Sequence, residues 1–113
     1  LERIRAGGVV PVIAHPERYA GVTPERAAAW RAAGAVLQGD ATTFTLDGAR
    51  AHRARALLAA GAYDLLASDN HGDTRALAAA RDCLDGWGAG ELAVLLTHTN
   101  PARVLADEPP LAV

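Results

Sequence analysis

Residues 7–19 read GGVVPVIAHPERY, and this stretch decides the fold. Val9 to Ala14 is an apolar run with a β-branched bias, opened by Gly7-Gly8 and broken abruptly by His15-Pro16. A short apolar run bounded by turn residues predicts a strand buried on both faces, as in a parallel sheet. Upstream, LERIRA reads as the last turns of a helix stopped by the glycine pair. The chain begins at Leu1 and contains no Met, so the expectation is that an N-terminal portion has been cut away.

Downstream the alternation of strand and helix repeats. Thr23-Pro24-Glu25 is a helix start: a capping hydroxyl, a proline at the first helical position and an acid in the first turn. That helix should run to about Ala33 and close at Gly34, and Ala35 to Gln38 should form a second strand. After the loop GDATTFTL, Asp47 is expected to cap a helix reaching about Ala60, with Gly61 as its stop. Ala62 to Ala67 is the third predicted strand, and Asp73 the start of a helix ending near Gly86. Short helices are expected over 90–96 and from Asn100 to about Leu105. Three strand–helix units predict an α/β fold with parallel strands, and ligands in such folds bind at the C-terminal strand ends. Residues 1–106 form the expected domain and 107–113 a tail, either loose or docked on the surface.

Composition sets bounds. Half of the 113 residues are apolar, enough for a modest core, but 27 are Ala, which favours helix and buries little area. Thirteen acids against eleven bases give a net charge of −2, too balanced for a nucleic-acid face. Every base is Arg, the residue suited to planar oxyanions, although a coding bias would produce the same composition. Cys83 is the only cysteine, which excludes an intrachain disulfide and a cysteine-based metal framework. No signal peptide is visible, and no apolar run approaches the ~18 residues of a membrane span, so a cytoplasmic location is expected.

Two polar clusters fall where the strand-end rule puts a site. His15-Pro16-Glu17-Arg18-Tyr19 follows the first strand, and Ser68-Asp69-Asn70-His71 follows the third. Asp69 and His71, two apart on an extended segment, would leave one face, and a carboxylate with an imidazole suits Mn²⁺, Fe²⁺ or Zn²⁺. His15, at the matching end of a neighbouring strand, would converge with them. Pro16 should hold His15 extended, aiming the ring out of the strand end. Taken singly, Asp69 reads equally as a turn cap, His71 as a surface residue and His15 as a hydrogen-bonded strand closure. Arg18 is either a surface charge paired with Glu17 or, beside metals, a bidentate phosphate ligand. Arg75 could serve similarly, and its expected place in a first helical turn, against the dipole, favours a functional reason for it. Gln38 is predicted to end the second strand at the pocket rim. His52 and His98 lack metal-type spacing, and Thr42, Thr43 and Thr45 show no nucleophile-and-base pattern.

The segments GVVPVIAHPERY, GAVLQGDATTFTLDGAR, YDLLASDNHGDTR and THTNPARVL stand in an order and spacing that resembles the CpsB/CapC-type tyrosine phosphatases. These are PHP-superfamily enzymes linked to bacterial capsule and exopolysaccharide synthesis. The resemblance spans about residues 4–106 and rests on the combination of HPERY, SD-x-H and a terminal NP. It implies the C-terminal portion of a distorted seven-stranded (β/α) barrel around a multinuclear metal centre, usually manganese, with iron or zinc as alternatives. Carried over by motif, His15, Asp69 and His71 are metal ligands and Arg18 is an active-site phosphate contact. Arg75 takes the second arginine role, although HGDTR is one residue shorter than the usual loop.

The implied substrate is phosphotyrosine on a capsule-type tyrosine kinase, with a small phosphoester such as histidinol phosphate as the alternative. The family's opening H-x-H motif and further His and Glu ligands, which precede the HPER strand, are absent from the chain. Three ligands fall short of the cluster, so the chain alone is expected to be an inactive fragment, or a non-catalytic remnant. Its uncovered strand edges and apolar faces would call for a partner, another copy of the chain included. A cysteine-nucleophile mechanism is disfavoured, because the position that would carry its phosphate-binding arginine is Ala89 and Cys83 lies within a predicted helix.

Overall fold

The structure is a computed structural model that describes residues 1–113. A short helix, α1 (Glu2–Ala6), ends at Gly7 and leads to the first strand, β1 (Val12–Ala14). A 3-10 turn (Pro16–Arg18) follows, then α2 (Pro24–Ala32), β2 (Val36–Asp40), a second 3-10 turn (Ala41–Thr45) and α3 (Ala49–Ala59). The third strand, β3 (Leu65–Ala67), precedes α4 (Leu77–Gly86), α5 (Gly90–Val94) and α6 (Asn100–Leu105). The strands are parallel in the order β1-β2-β3, with Val12 opposite Val36 and Gln38 opposite Leu65. This is the mixed α/β arrangement predicted by the alternation.

The core sits on and around β2. Leu37 is fully buried, as are Leu57 of α3, Leu84 of α4 and Leu96. Tyr63 and Phe44 meet edge-to-face, centroids 6.0 Å apart. Gly39 makes room for this packing: a Cβ there would stand 2.7 Å from Leu66 Cδ2 and 2.9 Å from Tyr63 Cε1. The alanines Ala27, Ala51, Ala54, Ala80 and Ala93 let the helices lie close to it. At the opposite end Asn100 clips down the tail, exchanging hydrogen bonds with the Leu111 backbone and donating to the Asp64 carbonyl. The tail is docked. No helix is long and apolar enough to cross a membrane.

Several local expectations need correction. The first strand covers only Val12–Ala14 and is not buried on both faces: Val9 is 58%, Val10 48% and Val12 50% exposed. It pairs on one side only, with β2, and Pro11 before it has no N–H to donate. Gln38 does not end the second strand; Asp40 does, and the Gln38 amide donates to the Gly39 carbonyl. Helix α3 is preceded by Gly48 at φ 97° with no side-chain cap, so Asp47 is not its cap. Helix α4 starts at Leu77, because Asp73 closes a local turn on the Arg75 N–H at 2.9 Å instead of capping a helix. The last two helices are joined by a π-helical turn, Leu95–Thr99, just before Pro101, which lacks the N–H to continue the α-helical ladder.

Candidate functional site

All three strands end on one side of the molecule, and two of those ends turn sharply. His15 adopts φ 39°, ψ 56° and Asp69 φ 52°, both in the left-handed region that costs a non-glycine residue about 1–2 kcal/mol. His15 is therefore not extended. The proline excludes only the right-handed helical well, and the left-handed one lets the chain fold back so that the Arg18 N–H reaches the His15 carbonyl at 3.0 Å. Asp69 and His71 likewise do not share the face of an extended segment, because the chain has already turned at Asp69.

The turn after β1 is anchored from beneath. Glu17, fully buried, does not pair with Arg18. Its Oε2 accepts from the Tyr63 hydroxyl at 2.8 Å and its Oε1 from the Asp40 N–H at 2.9 Å. Arg53 of α3 donates to the Glu17 carbonyl at 2.8 Å. Burial, then the charge of Glu17 and the hydrogen bond to it, pushes the Tyr63 hydroxyl far above its ordinary pKa, so it remains a donor.

Above this base, charges alternate. Arg18 Nη2 donates to Asp40 Oδ2 at 2.9 Å and also to Asp69 Oδ2. Arg75 Nη1 reaches the same Asp69 oxygen at 3.1 Å. Burial raises the Asp40 pKa, but hydrogen bonds from Thr42 and Arg18, with the charge of Arg18, outweigh it and hold the carboxyl below the usual range. The bond to Asp40 in turn raises the Arg18 pKa. Arg75 bonds to Asp73 at 2.6 Å, which raises its own pKa and lowers that of Asp73. Because α4 begins at Leu77, Arg75 lies in the loop before it and not in a first helical turn, so no dipole argument applies.

The structure thus brings Arg18, Arg75 and Asp69 together, with His71 at the rim: its Nδ1 is 2.7 Å from the Asp69 carbonyl oxygen and 3.3 Å from Arg75 Nη2. His15 and Asp69 do not leave neighbouring strands. Strand β2 lies between them, a separation of roughly 9–10 Å at the usual strand spacing. No three His, Cys, Asp or Glu side chains are gathered as ligands for one ion. Even so, the donor types fit a divalent metal, and His15 Nδ1 is buried with no hydrogen-bond partner, a ring nitrogen free for a ligand. His52 and His98 are exposed on helical segments, and Cys83 is half-buried against the core.

Sequence reasoning missed Asp40 and Glu17. Asp40 carries a usable signal: it is a carboxylate closing an apolar strand at the edge where the other site residues stand. Glu17 carries a weaker one, an acid held between Pro16 and Arg18. Two concavities of the surface lie elsewhere, about 790 Å³ against Leu84, Trp87 and Leu92, and about 680 Å³ near Val10, Arg31 and Asp64. The strand-end site is an open face.

No curated protein matches the chain. A family described as capsular polysaccharide synthesis, CpsB/CapC, matches residues 1–106, which takes in both strand-end loops and every element from α1 to α6. It is a family associated with tyrosine phosphatase activity. The chain, with its paired arginines at the ends of parallel strands, belongs to the CpsB/CapC family.

Proposed function

We propose that residues 1–106 form the C-terminal part of a PHP-type (β/α) barrel and contribute one wall of a metal-dependent phosphatase centre, acting on phosphotyrosine in a protein linked to capsule or exopolysaccharide synthesis. One observation carries the reading: Arg18 and Arg75, from two different strand-end loops, turn their guanidiniums onto a single carboxylate oxygen of Asp69. Two guanidiniums aimed at one oxygen form a ready cradle for a tetrahedral oxyanion. Membership of a capsule-synthesis family associated with tyrosine phosphatases supports the substrate class. The open outer edges of β1 and β3, with Val9, Val10 and Val12 exposed beside one of them, support the barrel.

His15, Asp69 and His71 would hold metal, manganese being the usual ion of the resembling enzymes, and the ion when bound supplies Lewis acidity toward a phosphoryl oxygen and activation of water. The chain's own residues do the rest. Arg18 and Arg75 bind the equatorial oxygens and stabilise the charge that builds on them. Asp69, which the two arginines clasp, would be one of the holders of the ion, and a phosphoryl group would take its place on the arginines. Three donors are too few for a multinuclear centre, so the remainder come from outside residues 1–113, either from further chain or from a second copy.

The test compares the 113-residue chain with the same chain joined to the H-x-H-bearing half of its family's domain. The chain alone should bind Mn²⁺ weakly and hydrolyse p-nitrophenyl phosphate no faster than buffer with metal. The joined protein should turn over, and a chelator should abolish that activity. Robust chelator-sensitive turnover by the monomeric chain, or none by the joined protein, would contradict the reading.

A further inference from the structure

The buried hydrogen bonds below Arg18 reach further than packing requires. Asp40 is 3% exposed, yet its carboxylate is fully committed: Oδ1 accepts from the Thr42 N–H at 3.0 Å and the Thr42 hydroxyl at 2.7 Å, and Oδ2 from Arg18 at 2.9 Å. Its backbone N–H is tied to Glu17, and Glu17 to Tyr63. The residue before Arg18 and the residue that grips its guanidinium are therefore fastened to each other. Both side-chain hydrogen bonds of Arg18 use Nη2, and its Nε is buried without a partner, leaving Nη1 uncommitted.

From this geometry we infer that Asp40 is a positioning residue, which fixes the Arg18 guanidinium through Nη2 and so presents Nη1 to an incoming oxyanion, with Thr42, Glu17 and Tyr63 as its rigid base. The inference deepens the proposed function and rests on it for the identity of the anion. A guanidinium on a flexible side chain loses rotamer freedom when it binds phosphate, and one already held by a buried carboxylate has lost that freedom beforehand. Asp40 also keeps a negative charge beside Arg18, since the carboxyl is held below its usual pKa range. Asp69 cannot do this work, because in the proposed centre it would hold the metal. Asp40 stays.

The experiment uses the 113-residue chain with ¹⁵N-labelled arginine and inorganic phosphate as the probe. NMR reads rotation about the Arg18 and Arg75 Nε–Cζ bonds without phosphate, and then the phosphate dissociation constant. In Asp40→Asn, Arg18 rotation should accelerate and the dissociation constant should rise about tenfold, the scale of one charge-assisted hydrogen bond, while Arg75 rotation stays within about twofold. Tyr63→Phe removes only the distant donor to Glu17 and should shift Arg18 the same way by a smaller factor, which covers the case of Asp40→Asn failing to fold. Unchanged Arg18 rotation in both variants would overturn the inference, as would equal loosening of Arg18 and Arg75, which would mean a general structural role. If the wild-type chain binds no phosphate, the ligand-free rotation still decides whether Asp40 holds Arg18, while turnover by the joined protein decides the functional reading.

Discussion

The two arginine-bearing loops at the strand ends are built in opposite ways. The 15–18 turn is held by distant parts of the chain: Glu17 bonds to Tyr63 and to Asp40, and Arg53 of α3 bonds back to Glu17. The 68–75 loop is held by itself. Asn70 donates to the Asp73 and Arg75 carbonyls and accepts from the Gly72 N–H, while Asp73 accepts from the Arg75 backbone and side chain, all in exposed positions. Only the shared contact with Asp69 ties the two loops together. Buried long-range bonds cannot break without exposing unpaired donors, whereas local exposed ones exchange with water at little cost. Arg18 is thus the fixed member of the pair and Arg75 the adjustable one.

The comparison would break first at its buried end. Glu17→Ala leaves the Tyr63 hydroxyl and the Asp40 N–H without acceptors and opens a cavity, and should cost about 3–4 kcal/mol of unfolding free energy in urea titrations. Asn70→Ala, which deletes three hydrogen bonds on paper, should stay within about 0.5 kcal/mol because water replaces them. Similar losses for the two would erase the distinction between the loops.

Arg18 tests the same contrast in catalysis, in the chain joined to the H-x-H-bearing half. Arg18→Ala should leave metal content and fold intact and lower kcat/KM by about 2–4 kcal/mol, the scale for one positioned charge-stabilising donor. Arg18→Lys should recover only part, keeping the charge without the planar fork. His15→Ala should differ by losing metal along with activity. Near-wild-type kcat/KM for Arg18→Ala would move the phosphate role to Arg75.

A smaller effect comes from pH. The folded-state pKa of Asp40 lies below its ordinary 3.8, so the stability it contributes is present above that value and is lost as pH falls through the folded pKa. Between pH 5 and pH 3 the wild type should therefore lose more stability in urea than Asp40→Asn, whose loss reflects the other carboxylates alone. Parallel losses would mean that Asp40 gains nothing from Arg18 and Thr42.

What the sequence made legible follows from how local each signal is. Thr23 accepting from the Arg26 N–H, Gly34 at φ 83° and Gly61 at φ 62° act within one turn of chain, and each sits where the pattern put it. Asp47 and Asp73 failed as helix caps because an Asp side chain serves a turn as readily as a helix start, and nothing local decides between them. Val9 and Val10 look like buried strand, but which side of β1 is covered depends on residues far away in the sequence. The strand-end rule made the loops that carry Arg18 and Asp69 legible, whereas Arg75 was reached from an expected helical turn that the structure does not form. The bridge from Tyr63 through Glu17 to Asp40 was not legible, since it spans 46 residues and no spacing rule links its members.

The most direct test of the whole account is anomalous diffraction at the manganese edge, from crystals of the joined protein grown with Mn²⁺ and phosphate. The account predicts manganese on His15, Asp69 and His71, with phosphate held by Arg18 Nη1 and Arg75 and the Arg18–Asp40 contact unbroken. Manganese bound elsewhere, or Asp69 still clasped by both arginines with no phosphate between them, would contradict it.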